Sequence, residues 1–229
     1  GALNGALSGG VAGRLAFSTS KRDGYITNTL GPALNDQNQY AGRAQLLFNP
    51  TDASSVLLSL HGLKNDKEHS GIYSWGASHA DPVTGLGYFI SADDPVNGAC
   101  PGCDFFGYRN PSSDVYTQTE DRVGYFERTS WGTTAHVNWK LGGGVDLTSV
   151  TDYLPLKKYY GEDSDVSPNP VFHYDTHQRY HQFSQELRLN GGTDLMRWIA
   201  GLYFLEYSTD NQALTDFTGI GGVPGAGAR

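Results

Sequence analysis

The sequence predicts an all-β chain, an antiparallel up-and-down meander of about eight long strands. Three observations predict it. The 229 residues include 30 glycines, 14 tyrosines and 4 tryptophans but 1 methionine, a composition suited to strands and glycine-bearing turns rather than to helices. Apolar residues recur with period two over most of the chain. Short and long connections alternate along its whole length, as hairpins laid side by side require.

The strands follow in order. Residues 1–7 form a partial first strand. In 11–20, Val11, Gly13, Leu15 and Phe17 share one side and Arg14, Ser18 and Ser20 the other. In 40–48, Tyr40, Gly42, Ala44, Leu46 and Phe48 oppose Arg43 and Gln45, and Val56, Leu58 and Leu60 then oppose Ser59 and His61. The clearest alternation is 131–141, where Trp131, Ala135, Val137, Trp139 and Leu141 face away from Thr134, His136, Asn138 and Lys140. Residues 145–153 and 183–189 repeat it, with Glu186 and Arg188 on the polar side; in 198–204 Ile199 breaks the pattern.

Four connections carry compact turn signals: Ser8-Gly9-Gly10, Asn49-Pro50-Thr51-Asp52, Gly142-Gly143-Gly144 and Asn190-Gly191-Gly192-Thr193. Between these hairpins lie polar stretches at about 21–39, 64–119 and 160–181, and a Gly/Pro/Ala-rich tail at 211–229 is expected to be flexible. In a meander, every short turn then falls at one end of the sheet and every long loop at the other. Outer-membrane β-barrels have that asymmetry, with short periplasmic turns and long extracellular loops. They also show lipid an apolar face bounded by aromatics, here Phe17, Phe48, Trp131, Trp139, Tyr153 and Trp198, and turn polar residues inward. Arg14, Arg43, His136, Glu186 and Arg188 are the expected lumen-facing residues. A strand near 121–141 would run to roughly twenty residues, against a soluble mode of about 5–6.

Composition narrows the partners. A net charge of −8 leaves no basic stripe for nucleic acid. No stretch approaches the roughly 18 apolar residues of a membrane helix, and 1–10 lack the basic start and apolar run of a signal peptide. The chain is therefore expected to lack its export signal or to begin inside a longer protein.

Several segments resemble one family. Arg14-Leu15-Ala16-Phe17-Ser18 with Lys21-Arg22-Asp23-Gly24-Tyr25-Ile26-Thr27-Asn28, and Arg43-Ala44-Gln45-Leu46-Leu47-Phe48-Asn49-Pro50-Thr51-Asp52, resemble the early barrel of TonB-dependent outer-membrane receptors. Leu147-Thr148-Ser149-Val150-Thr151-Asp152-Tyr153 resembles the family's Thr-Ser-x-Thr-x-Tyr strand. Gln182-Phe183-Ser184-Gln185-Glu186-Leu187-Arg188-Leu189 followed by Trp198-Ile199-Ala200-Gly201-Leu202-Tyr203-Phe204 is the most specific match. The resemblance implies that 1–229 is the N-terminal part of a receptor barrel in the bacterial outer membrane. It implies energised uptake of a scarce nutrient, foremost a ferric siderophore, with lipid, a plug domain and the TonB complex as partners of the full-length receptor. The chain departs from the family in showing no TonB box, no plug and about a third of the usual 22 strands. It is expected to be a fragment or an incomplete gene product. The alternatives are a soluble extracellular β-sandwich binding carbohydrate through its loops, and a small self-contained outer-membrane barrel.

No G-x-S-x-G, phosphate loop or H-E-x-x-H is present, so no catalytic residue, resident metal or cofactor is expected and the chain does not read as an enzyme. Cys100-Pro101-Gly102-Cys103 is read as a local disulfide in an external loop. A redox motif would want a helix, and a zinc pair more ligands at recognisable spacing. His173, His177 and His181 would share a helix face, but in an extended segment they sit roughly 13 Å apart, too far to share an ion, and read as solvated. The run Glu162-Asp163-Ser164-Asp165 offers oxygens for Ca²⁺ but lacks a dedicated loop's spacing, and reads as a solvated hairpin tip. Loop aromatics supply contact area at low entropic cost. Tyr73, Trp75, Tyr88, Phe105, Phe106 and Tyr108 with Arg109 are therefore the expected ligand-binding residues, suited to an anionic, aromatic-bearing cargo, the alternative being that the aromatics pack a small core inside the loop.

Overall fold

The computed structural model describes residues 1–74, 78–80, 83–84, 87–89, 103–104 and 106–217. The described elements are all strands: β1 (Ala2–Ser8), β2 (Val11–Arg22), β3 (Thr27–Asn28), β4 (Gln37–Thr51), β5 (Ser54–Glu68), β6 (Ser78–Ala80), β7 (Gly87–Phe89), β8 (Thr117–Gln118), β9 (Tyr125–Gly142), β10 (Val145–Asp163), β11 (His173–Gly192) and β12 (Arg197–Asp216). Eight of them form one antiparallel sheet in the order β1-β2-β4-β5-β9-β10-β11-β12. Among the described residues β1 and β12 are its open edges, so the sheet does not close on itself.

Because each neighbour runs antiparallel to the last, the connections sort by length onto the two ends. The turns after β1, β4, β9 and β11 are short, and those after β2, β5 and β10 are long. Gly142, Gly143 and Gly144 all have positive φ, 89°, 62° and 77°, which lets the β9–β10 hairpin reverse where a side chain would be strained. The strands climb further into the long-loop end than alternation predicts, since β5 runs to Glu68, β10 to Asp163 and β11 from His173. The expected flexible tail is corrected likewise: 211–216 belong to β12 and pair with β11, Asn211 opposite Gln178 and Asp216 opposite His173.

The register aligns the faces across all eight strands, because directly opposed residues point the same way. Leu3, Leu15, Ala44, Leu60, Thr133, Tyr153 and Phe183 form one row on the apolar face. Val11, Phe48, Val56, Val137, Ser149, Leu187 and Leu202 form another. Beyond Trp131 this face turns cationic, with Lys64, Lys157 and Arg179 joined through Thr129 in a single row. The apolar face is bare. Leu15 is 63% exposed, Leu58 48% and Leu46 39%, and among the described residues no second sheet covers them. A water-soluble sandwich would bury them there. On β12 the opposite face is apolar too: Tyr203, Leu205 and Tyr207 are exposed beside Glu186, Ser184 and Gln182.

The buried apolar residues lie elsewhere. Ile26, Leu34, Cys103, Val166 and Val171 all belong to the long connections, which fold together over one end of the sheet. There β3 pairs in parallel with β8. Asn28 locks the pair: its Oδ1 accepts from the backbone amides of Glu120 and Leu30, and its Nδ2 donates to the Glu120 carbonyl. Ser70 ties the same cap to the strands, donating its backbone N–H to Gly124 and its hydroxyl to the Gly161 carbonyl. A Cβ at Gly124 would stand 2.7 Å from the Gly161 carbonyl and closer still to Ser70, all backbone or buried polar atoms. Gly124→Ala should therefore cost about 1–3 kcal/mol of cap stability, whereas Gly5→Ala, with open space around it, should stay within about 0.5 kcal/mol. Hydrogen-exchange protection of the Ser70 amide reads the difference, and equal protection in the two variants would refute it.

Candidate functional site

Two side-chain clusters sit in the cap. The first is aromatic. Tyr116 packs edge-on against Tyr25, with ring centroids 6.0 Å apart, and against Tyr73 at 6.1 Å, while the Arg22 guanidinium lies 5.0 Å from the Tyr25 ring centre. Tyr25, Tyr73 and Tyr116 are each more than a third exposed, so they offer ring surface as well as packing on one another. Tyr73 was an expected ligand contact; Tyr25, Tyr116 and Arg22 were not. They come from connections that are remote in the chain and meet because β3 pairs with β8.

The remaining expected contacts are placed as follows. Phe106 and Arg109 are exposed, and Tyr108 is half-buried, its phenol oxygen buried without a hydrogen-bond partner among the described residues. Asp104 organises this turn, its Oδ1 accepting from the backbone amides of Phe106 and Tyr108. Cys103 is buried and disulfide-bonded, and Tyr88 lies in β7. Trp75, Cys100 and Phe105 lie outside the described residues. On the sheet, Arg14, Arg43, His136, Glu186 and Arg188 share the face opposite Leu15 and Leu58: Arg43 stands opposite His61, and His136 and Glu186 flank Val150. Arg188 pairs with Glu186 at 3.3 Å. Arg14, Arg43 and His61 line an open groove of about 400 Å³ on that face.

The second cluster is acidic, and here the expectation of a solvated hairpin tip is corrected. Asp163 is fully buried. Its Oδ1 accepts from the amides of Asp165 and Val166, and its Oδ2 from the amide of Asp121 at 3.1 Å. Burial, with the Asp165 and Asp121 carboxylates close by, nonetheless holds its carboxyl well above the usual range. Val166 takes a left-handed backbone, φ 53°, and is buried, which turns the 164–172 connection inward. Asp165 accepts from the Phe172 amide and the Ser167 hydroxyl. His173, expected as a solvated histidine, is mostly buried, and its Nε2 lies 3.0 Å from Asp121 Oδ1. Glu120 is 1% exposed. Burial and the Glu162 charge push it up to about 8 against the favourable Ile72 amide.

Beside this cluster Asp175 accepts from Arg122 Nη2 at 2.6 Å and from the Tyr125 hydroxyl at 2.8 Å. Burial opposes its ionisation, but these two bonds outweigh it and hold its carboxyl below the usual range. Tyr125 in turn is pushed up to about 12 by burial and by that bond.

Fold and cap together define a class: an antiparallel β-meander of the β-barrel type, open over the described residues, whose long loops fold into a shared, aromatic-bearing cap. No family model and no curated protein matches the chain. Among solved structures it is similar to the ferric yersiniabactin uptake receptor FyuA from Yersinia pestis, with a TM-score of 0.62 at 14% identity. The match covers 95% of this chain and 29% of that one. A likeness at that identity establishes a distant relationship of fold.

Arg122→Met leaves Asp175 with one of its two charge-assisted donors. It should cost about 1.5–3 kcal/mol locally, read as faster amide exchange at 121–125 and 173–175 with the sheet core unchanged. In the wild type the Asp175 contribution is complete above its unfolded value of 3.8 and is lost only as pH falls below that, through the lowered folded value. Arg122→Met should remove this acid-side step.

Proposed function

We propose that this chain is a barrel segment of a TonB-dependent receptor of the bacterial outer membrane, and that the whole receptor takes up a ferric siderophore. The observation that carries the reading is the bare apolar face bounded by aromatics on a sheet whose long loops all cap one end. From Trp131 to Trp139 the strand climbs roughly 27 Å, which at a tilt of about 40° spans roughly 21 Å, near the ~25 Å apolar band of such barrels. Trp131 shares its hydrogen-bonded row with Phe17 across β4 and β5, so aromatics stand toward the long-loop end of both β2 and β9. FyuA, similar in fold, is named as a ferric yersiniabactin uptake receptor, and that supports the cargo class.

In this reading acyl chains cover the face of Leu15 and Leu58, and the face of Arg14, Arg43, His136, Glu186 and Arg188 looks into the lumen, where the plug of the full-length receptor would meet it. Cargo enters from the capped end. Tyr73, Phe106 and Arg109, with Tyr25, Tyr116 and Arg22, supply ring faces and cations there, a combination suited to an anionic, aromatic chelate. Trp75, Tyr88, Phe105 and Tyr108 belong to the same proposed contact set. Transport in this scheme makes no or breaks no covalent bond of the cargo, and the TonB complex supplies the work through the plug.

Charge scanning tests the face assignment. Leu58→Arg places a cation mid-band on the apolar face and should cost about 2–4 kcal/mol of folding stability in lipid bilayers. His61→Arg, on the opposite face beside Arg43, should be mild. Urea titrations of both variants in vesicles decide it: if His61→Arg is the damaging one, the faces are inverted and the receptor reading fails.

A further inference from the structure

We propose that Lys157 and Arg179, with Lys64 in the same row, bind a lipid headgroup carrying more than one phosphate, in the leaflet on the long-loop side of the membrane. The inference rests on the reading of Leu15 and Leu58 as lipid-facing and adds a specific partner on that face.

The placement of cations comes first. Along the paired register, the lysines and arginines on the face of Leu15 and Leu58 are Lys21, Lys64, Lys157 and Arg179. All four lie on the long-loop side of the row that holds Phe17 and Trp131. Between that row and the short turns, this face holds no lysine or arginine among the described residues. A face coloured this way is matched to a medium that is apolar in the middle and anionic at one boundary. Thr129, in the row of Lys64 and Lys157, is two residues beyond Trp131 and therefore roughly 7 Å further along the strand. Trp131 is 47% exposed, and Tyr40, directly opposite Lys64, is 41% exposed. Half-exposed aromatics of this kind mark headgroup level, where phosphates lie.

Charge comes second. Lys157 and Arg179 are directly opposed in the β10–β11 ladder, and both are exposed. Like charges directly opposite one another are unfavourable unless an anion answers them. Among the described residues neither has an ion-pair partner. The acids of the same face leave them so. Asp66 is bonded to Lys64 at 2.8 Å. Glu127 lies one row further out, opposite Tyr159, and Asp210 stands opposite Arg179 on β12 without forming an ion pair with it. The Lys64–Asp66 pair is solvent-exposed, and such a pair is held weakly enough to exchange for a stronger anion.

Spacing selects the headgroup. Lys64 and Lys157 are separated by the one strand that carries Thr129, so their backbones are about 10 Å apart. One phosphate fits between Lys157 and Arg179, and a second, on the same headgroup, reaches Lys64. The long stems of these side chains lie along the apolar face while their charged ends meet the phosphates. Arginine adds a two-pronged donor that matches phosphate geometry.

The test titrates the 229-residue chain in zwitterionic detergent micelles with diphosphorylated lipid A and reads the bound fraction by native mass spectrometry. The wild type should form a saturable one-to-one complex that weakens with added NaCl, and monophosphorylated lipid A should bind less tightly. Lys157→Gln with Arg179→Gln should weaken binding about tenfold or more. Lys140→Gln, on the opposite face near the short turns, should bind as the wild type. Lys157→Glu places opposite charges across the ladder, so it should melt no lower than the wild type in lipid-free micelles and still lose lipid A. The proposal is overturned if the double variant or Lys157→Glu binds lipid A as the wild type does. Equally, displacement of lipid A by millimolar inorganic phosphate would make free phosphate the ligand and overturn it. If Leu58→Arg is damaging in vesicles and the double variant still binds lipid A, this inference alone falls. If His61→Arg is the damaging one, the lipid-facing assignment falls and takes this inference with it.

Discussion

A slip of one residue between any two neighbours in the main sheet would carry Leu15, Leu46 or Leu58 onto the face that holds Arg14, Arg43 and His61. Register is therefore the constraint on which everything else rests. It is kept from β1 to β12 by antiparallel ladders whose register shifts lie near strand ends, such as Ala6/Ser8 and Asn65/Glu68, and it is held on both sides of Leu154 and Pro155, where the β9–β10 pairing is interrupted. Each internal strand has both edges hydrogen-bonded, so the backbone is satisfied without any layer packed on either face. That is the condition under which a sheet can present apolar side chains outward to a non-aqueous solvent.

The same constraint moves the conventional core out of the sheet. Burial is concentrated in the cap, where the polar residues Gln118, Asn28 and Ser167 are buried as deeply as Ile26 and Leu34 or nearly so. Buried polar groups need partners, and most here have them: Asn28 with Glu120 and Leu30, Asn65 with Glu68, Asp163 with three amides. The cap is thus held by directional bonds more than by apolar area. Such a structure positions side chains sharply while leaving the aromatic cluster of Tyr25, Tyr73 and Tyr116 part-exposed above it.

Legibility followed locality. The eight long strands, their faces and the sorting of short and long connections could all be read from the residues, because side-chain direction in a strand depends on parity alone. Reading stopped at strand ends. Residues 160–163, 173–181 and 211–216 read as loop or tail, since His, Asp, Tyr, Thr and Gln dominate there and no apolar alternation survives; ladder pairing with a neighbouring strand makes them strand anyway. Ile199 looked like noise in the alternation, yet with Tyr203, Leu205 and Tyr207 it forms a second apolar face on the edge strand β12. The burial of Asp163 in the acidic run 162–165 has no local signature, because it depends on Val166 turning inward and on 120–121 folding back over it.

By itself the sequence determined the class of fold, the two faces and the end of the sheet that bears the loops, all consequences of a period set by covalent geometry. The tertiary structure alone decided which loop residues meet. Asp121, Asp163 and His173 converge, as do Tyr25, Tyr73 and Tyr116, because ladder register and the β3–β8 pairing bring together segments far apart in the chain. No local pattern encodes such a meeting, since its free energy is set by contacts that exist only once the strands beneath are in place.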